Sequence, residues 1–199
     1  FIETENGDVQ VSVLGKHNLI NLEAAVAVCE ELGIERKAAY AAISSFTGAA
    51  KRLEKIFEED GVVAYRDFAH APSKLKATLD AVREAYEERE LIACFELHTY
   101  SSLNKQFLKE YSGSMDSADH AIVYFSHHAL ALKGLPALKK ETVQQFFGPE
   151  AVEVIDNKET LEQRVGELLA KRQKPVCLLL MSSGTFDGID WNGVSSQDI

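Results

Sequence analysis

From Val62 onward the chain alternates apolar runs of strand length with segments of helical periodicity, and this constrains the fold more than anything else in the sequence. The runs are VVAY at 62–65, LIACFEL at 91–97, HAIVYF at 120–125, VEVI at 152–155 and PVCLLLM at 175–181. Between the first two, Leu75, Leu79, Val82 and Tyr86 space one buried helical face after Pro72. A helix through Phe107 and Tyr111 follows the second, and another through Leu161, Val165 and Leu168 precedes the last. Region 130–148 reads as looser. Strands alternating with helices imply βαβ units, hence an α/β, Rossmann-like, mostly parallel sheet with helices on both faces. LIACFEL, apolar without a break, suits a strand buried on both sides. Ahead of these units, KRLEKIFEEDGVVAYRDF reads as two strands turned at Asp60-Gly61, a hairpin signal. The expected sheet has six strands, and 182–199 reads as loop and tail.

The first 49 residues have another character. DVQVSVL at 8–14 alternates polar and apolar and predicts a half-buried strand. The next segment places Leu22, Ala25, Val26, Cys29 and Leu32 on one helical face, with Gly33 as its stop. A second helix over ERKAAYAAISSF ends at TGAA, 47–50. Two helices without a sheet of their own cannot close a domain. The boundary is placed between Phe46 and Ala50, giving units 1–49 and 50–199, the first a mainly helical appendage with an exposed apolar face. A start at Phe1 rather than Met suggests a piece of a longer protein.

Charge and cysteine usage narrow the function. A net charge of −10 argues against a nucleic-acid groove, which needs a Lys/Arg footprint. It leaves phosphorylated small molecules open, since a few local cations suffice for those. No apolar run approaches the ~20 residues of a membrane span, and no signal peptide is visible. The three cysteines, Cys29, Cys94 and Cys177, read as reduced core thiols of a cytoplasmic protein.

In an open α/β sheet, ligands bind at the C-terminal ends of the strands. Here those ends carry Asp67, Ala69 and His70; then Glu96, His98, Thr99, Tyr100, Ser101 and Ser102; then Ser182, Ser183, Gly184 and Thr185. Strand interiors carry Val, Ile, Leu and Phe instead. Each end residue has a plainer reading beside the functional one. Asp67 could support the turn before a proline-started helix, His70 could be a satisfied loop histidine, and Ser183-Gly184 could be a tight turn. His127-His128 lacks ligand partners at metal spacing, so no metal site is assigned. LGKHN at 14–18 lacks the upstream glycine and following Ser/Thr of a phosphate loop. No serine sits in a nucleophile elbow.

Taken in order, GKHNLINLEAAVAV, FTGAAKRLE, YRDFAHAPSKLKATLDAVRE, CFELHTYSS and MSSGTFDGI resemble the C-terminal half of the Mur ligases. The pattern is most similar to the branch that adds a muropeptide during peptidoglycan recycling, with the L-alanine-adding branch next. The resemblance implies the tail of a central ATPase domain followed by a complete third domain. It also implies ATP-dependent amide synthesis. ATP phosphorylates the lactyl carboxylate of UDP-N-acetylmuramate, and the amine of L-Ala-γ-D-Glu-meso-diaminopimelate, or of an amino acid, displaces phosphate. Mg²⁺ is implied too, bound mainly by the central domain.

The same resemblance implies that Asn21 faces adenine with His17 and Asn18 in the same motif, that Arg52 lies near the nucleotide and the interdomain hinge, and that Asp67 holds the ribose. His70 is implied to point towards the reacting groups, in a catalytic role. His98, Thr99, Ser101, Ser183 and Thr185 match the loops that receive the amino component. Two departures leave the acceptor open: His98-Thr99 stands where an arginine is expected, and GTFD stands where a second glycine-rich turn is usual. With no phosphate loop and no UDP-sugar domain in these 199 residues, the chain alone is expected to be inactive. Rival readings are a free-standing nucleotide- or peptide-binding α/β module and the folate-adding relative of the same chemistry.

Overall fold

Each of the six expected strands finds a partner in the computed structural model, which describes residues 2, 8–46, 48–148 and 151–193. The strands are β1 (Glu54–Glu59), β2 (Val62–Asp67), β3 (Glu90–Leu97), β4 (His120–Phe125), β5 (Glu153–Ile155) and β6 (Val176–Met181). They form one sheet in the order β1-β2-β6-β3-β4-β5. Only β1–β2 is antiparallel; the four other pairings are parallel. The β1–β2 turn is made as expected, with Asp60 (φ 47°) and Gly61 (φ 77°) both in the left-handed region that a tight hairpin needs. Edge strand β1 bears Lys55, Glu58 and Glu59, charges that discourage further strand addition.

The helices are α1 (Lys16–Glu31), α2 (Arg36–Ile43), α3 (Pro72–Ala85), α4 (His127–Leu132), α5 (Lys140–Phe147) and α6 (Lys158–Lys171). Strand alternation sends Val63, Tyr65, Ala93, Phe95, Val123, Cys177 and Leu179 to one face, where they pack on Leu75, Leu79 and Val82 of α3 and on Val143 and Phe147 of α5. The other face, with Val62, Ala64, Ile92, Cys94, Leu178 and Leu180, meets Leu161, Val165 and Leu169 of α6. Both faces are covered, which is why the central strands could be apolar throughout.

Several expectations need correction. Segment 8–14 is not a strand: Val9 makes an isolated bridge with Ile2, and 10–14 pairs with no strand among the described residues. On α1, Leu22 and Val26 are buried, but Ala25 and Leu32 are exposed, because α2 covers only a narrow stripe. The helix expected through Phe107 and Tyr111 shrinks to a 3₁₀ turn, Leu108–Tyr111, within a run of turns. The looser region 130–148 instead contains the end of α4 and all of α5, whose apolar positions were too few to show a period. The expected tail is partly core: Phe186, Ile189 and Trp191 are buried over the sheet. Thr47 of the TGAA stop and residues 194–199 lie outside the described residues.

The expected apolar face on the helical appendage is present, with Ile20, Val28, Leu32, Ile34 and Phe46 exposed. Of the cysteines, Cys94 and Cys177 are buried and Cys29 partly so, all three free.

Candidate functional site

Parallel pairing brings the C-terminal ends of β2, β6 and β3 side by side, with Asp67 opposite Met181 and Met181 opposite Phe95. One residue further on, Ser182 and Glu96 are therefore level, and alternation points both to the α6 face. Asp67 points to the α3 face.

The Asp67 carboxylate, 5% exposed, accepts the Leu53 N–H at 2.9 Å, the Ala69 N–H at 2.7 Å and the Thr78 hydroxyl at 3.3 Å. It thus joins the segment before β1, the turn after β2 and helix α3. Its main-chain carbonyl accepts the Ser182 N–H at 2.9 Å, so the plainer role of turn support is a real part of its work. Beside it, the Arg52 guanidinium lies over the Phe68 ring at 5.2 Å, and Phe68 meets the His70 ring edge-on at 5.1 Å. His70 Nδ1 lies 3.0 Å from the Phe68 carbonyl, while the His70 carbonyl accepts the buried Tyr111 hydroxyl at 2.5 Å. Arg52 and His70 thus share Phe68, the residue next to Asp67, and of the three only Asp67 lines the groove described below.

Glu96 is the residue the sequence analysis underrated, counting it at a strand end and giving it no role. Its carboxylate is 1% exposed. It accepts the Ser182 hydroxyl in a short hydrogen bond and the Phe186 N–H at 2.9 Å, and it lies 3.4 Å from His98 Nδ1. Gly184 closes over this pair: a Cβ there would stand 2.6 Å from His98 Nδ1 and 2.8 Å from Glu96 Oε2. The one available sequence signal was an acid at the buried end of a strand, where charge is costly unless paired.

The remaining acceptor-loop residues spread around that centre. Thr99 turns back on Ser102, its hydroxyl 3.0 Å from those of both Ser101 and Ser102. Ser183 Oγ is buried without a hydrogen-bond partner among the described residues. Thr185 is exposed and helps line a groove of about 340 Å³ together with Asp67, Ser182, Gly184, Arg66 and Trp191. Arg66 there is held by Glu54 through two hydrogen bonds of 2.8 Å. That contact, with the Lys51 N–H, pulls the Glu54 carboxyl down to about 2.

His17, Asn18 and Asn21 are placed elsewhere. Gly15, just before α1, lies so close to α3 that a Cβ on it would sit 2.6 Å from Ala81 Cβ. Asn18 Nδ2 donates to the Leu14 carbonyl at 2.7 Å, and Asn21 is exposed. None of the three lines the groove. Among the described residues no group of three or more His, Cys, Asp or Glu side chains could hold a metal ion. His127 pairs with Asp156 at 3.0 Å. The described residues thus offer no dedicated cluster of side chains for Mg²⁺.

The family model for the Mur ligase glutamate ligase domain matches residues 51–184. The chain belongs to the Mur ligase family. Of its relatives, the UDP-N-acetylmuramate–L-alanine ligase of Salinibacter ruber is 33% identical over 166 residues, covering 82% of this chain and 34% of that protein. The corresponding ligase of Caldicellulosiruptor bescii is 40% identical over 115 residues, covering 58% of this chain and 25% of that protein. The chain thus spans between a quarter and about a third of those relatives' length. Among solved structures, a murein peptide ligase from Psychrobacter arcticus superposes with a TM-score of 0.65 at 23% identity, over 96% of this chain and 39% of that one. The UDP-N-acetylmuramate–alanine ligase of Thermotoga maritima gives 0.68 at 17% identity, over 89% and 36%. Both share the Mur ligase fold: a mostly parallel six-stranded sheet with helices around it.

Proposed function

We propose that this chain is the C-terminal part of an ATP-dependent ligase that joins UDP-N-acetylmuramate to an amino acceptor through an acyl phosphate. The observation that supports it is the hydrogen-bonded line Asp67–Ser182–Glu96, with His98 beside it, running across three adjacent strand ends within the stretch matched by the family model. Arg52 and Asp67 are assigned to the nucleotide, with the Arg52 guanidinium on its Phe68 platform. His70 is assigned to the reacting groups, and His98, Thr99, Ser101, Ser183 and Thr185 to the acceptor. His17, Asn18 and Asn21 keep their assignment to adenine as residues of the preceding unit, 1–49, brought to the nucleotide when units 1–49 and 50–199 close on it. Mg²⁺, where the reaction uses it, is assigned to other parts of the enzyme, and no step on this chain runs through it.

For the acceptor, the curated relatives at 33–40% identity favour L-alanine. The recycling tripeptide is the second reading, favoured by the sequence pattern around FELHTYSS and MSSGTFDGI. Assay of the intact ligase that carries this chain, with UDP-N-acetylmuramate, ATP and either acceptor, decides between them. Thr185→Ala should raise the acceptor KM about 10- to 100-fold and leave the ATP KM unchanged, as expected for loss of one polar contact of about 1.5–3 kcal/mol to a charged ligand. Equal effects on both substrates would overturn the acceptor assignment, and an intact protein inactive with both acceptors would overturn the ligase reading. The 199 residues alone should show no micromolar ATP binding by calorimetry, because their sequence has no phosphate loop to cradle the β- and γ-phosphates.

A further inference from the structure

We infer that Glu96 and His98 form an orienter–base pair, Glu96 holding the imidazole so that its Nε2 takes the proton from the acceptor's ammonium group. The inference rests on the ligase reading above. His98 Nδ1 is buried and lies 3.4 Å from the Glu96 carboxylate, and it has no hydrogen-bond partner among the described residues. The side chain is 35% exposed, and the buried Nδ1 takes no part in that exposure. A buried ring nitrogen facing only a carboxylate is satisfied when it carries the proton. That leaves the lone pair on Nε2, free to take a proton. A base–orienter contact slightly long without substrate is ordinary, since such contacts tighten in the productive complex.

The surroundings keep this arrangement in place. Glu96 cannot turn away, because Ser182 and the Phe186 N–H hold it. The ring cannot retreat towards β6, because Gly184 packs against it with no room for a methyl group. Glu96 on β3 is the charged group beside Nδ1, and Gly184 of the β6 loop, packed against the same edge of the ring, has no charge. Tyr124 and Asp187, which bond each other at 2.8 Å, belong to neighbouring elements and leave the Nδ1 side to Glu96.

An amine acceptor arrives as an ammonium ion and cannot attack until it loses a proton. In the step assigned, the ammonium N–H bond breaks and its proton goes to His98 Nε2. The freed electron pair forms the C–N bond to the acyl phosphate carbon. The C–O bond to phosphate then breaks with its electron pair on the leaving phosphate, and the second ammonium proton leaves with it. Glu96 positions the ring; His98 is the catalytic residue.

Two measurements test this. Long-range ¹⁵N–¹H spectra of this chain labelled with ¹⁵N-histidine, His98 being assigned by its loss in His98→Gln, should show the Nδ1–H tautomer. The Nε2–H tautomer would overturn the pairing whatever the enzyme does. In the intact ligase, His98→Ala should lower kcat about 10²-fold or more at neutral pH, and Glu96→Gln about tenfold. The His98→Ala deficit should shrink steadily as pH rises towards the acceptor amine's own pKa, because free amine then needs no base. Activity with a deficit unchanged across pH overturns the base role alone. A wild-type ligase without amide-forming activity overturns the ligase reading, and the base role with it.

Discussion

The Leu53 N–H donates to the Asp67 carboxylate at 2.9 Å, although the two residues are fourteen apart in sequence. Leu53 has φ 45° and Lys51 φ 55°, a left-handed backbone that ordinary residues adopt only at a cost. The buried carboxylate, with Glu54 on the Lys51 N–H at 2.7 Å, holds that segment in shape where it enters the sheet.

Asp67→Ala should therefore destabilise this chain by roughly 2–4 kcal/mol, since the Leu53 and Ala69 N–H groups lose their acceptor in a buried place. Asp67→Asn, which keeps one carbonyl oxygen, should cost less. Urea unfolding at pH 7 measures both. An Asp67→Ala loss below about 0.5 kcal/mol would refute the clamp.

Gly184→Ala should cost about 1–3 kcal/mol by overpacking, because the added Cβ meets His98 Nδ1 at 2.6 Å and Glu96 Oε2 at 2.8 Å. No unusual backbone angle is involved, so the effect is purely one of space. Thermal unfolding and the His98 imidazole NMR signals should move together. A stability loss with His98 undisturbed would contradict the contact.

The Arg66–Glu54 pair carries a pH signature. Glu54 titrates near 4.5 when unperturbed, and its folded value falls to about 2 because Arg66 and the Lys51 N–H favour the anion. Its contribution is fully present above about pH 4.5 and is lost as pH falls towards 2. Arg66 is 49% and Glu54 33% exposed, so solvent screening limits the pair to about 0.5–1 kcal/mol. The stability gap between wild type and Glu54→Gln should have that size at pH 7 and close near pH 2. A gap constant across that range would rule the pair out as its cause.

Burial pushes the Cys177 thiol up to about 12 and Cys94 further still. At pH 8 an aromatic disulfide reagent should therefore label one thiol of the native chain, Cys29, and all three after denaturation. Rapid native labelling of Cys94 or Cys177 would mean that the sheet opens locally.

Local pattern alone determined which residues become strands and that their polar ends face one way. LIACFEL and PVCLLLM could only be central strands, and Asp60-Gly61 could only be a turn, because period, run length and backbone preference act over a few neighbours. The same local logic misled at 8–14, where alternation existed without a partner strand. It was blind to α5 and to the burial of Phe186 and Trp191, whose helical or buried state depends on what lies beneath them. Tertiary structure decided the insertion of β6 between β2 and β3, and with it the meeting of Ser182 and Glu96, eighty-six residues apart. It also divided the anticipated site residues, with Asp67, Ser182 and Glu96 joined across adjacent strand ends and His17, Asn18 and Asn21 on α1, away from the groove. Such meetings depend on strand order and register, which side-chain periodicity within a single strand does not encode.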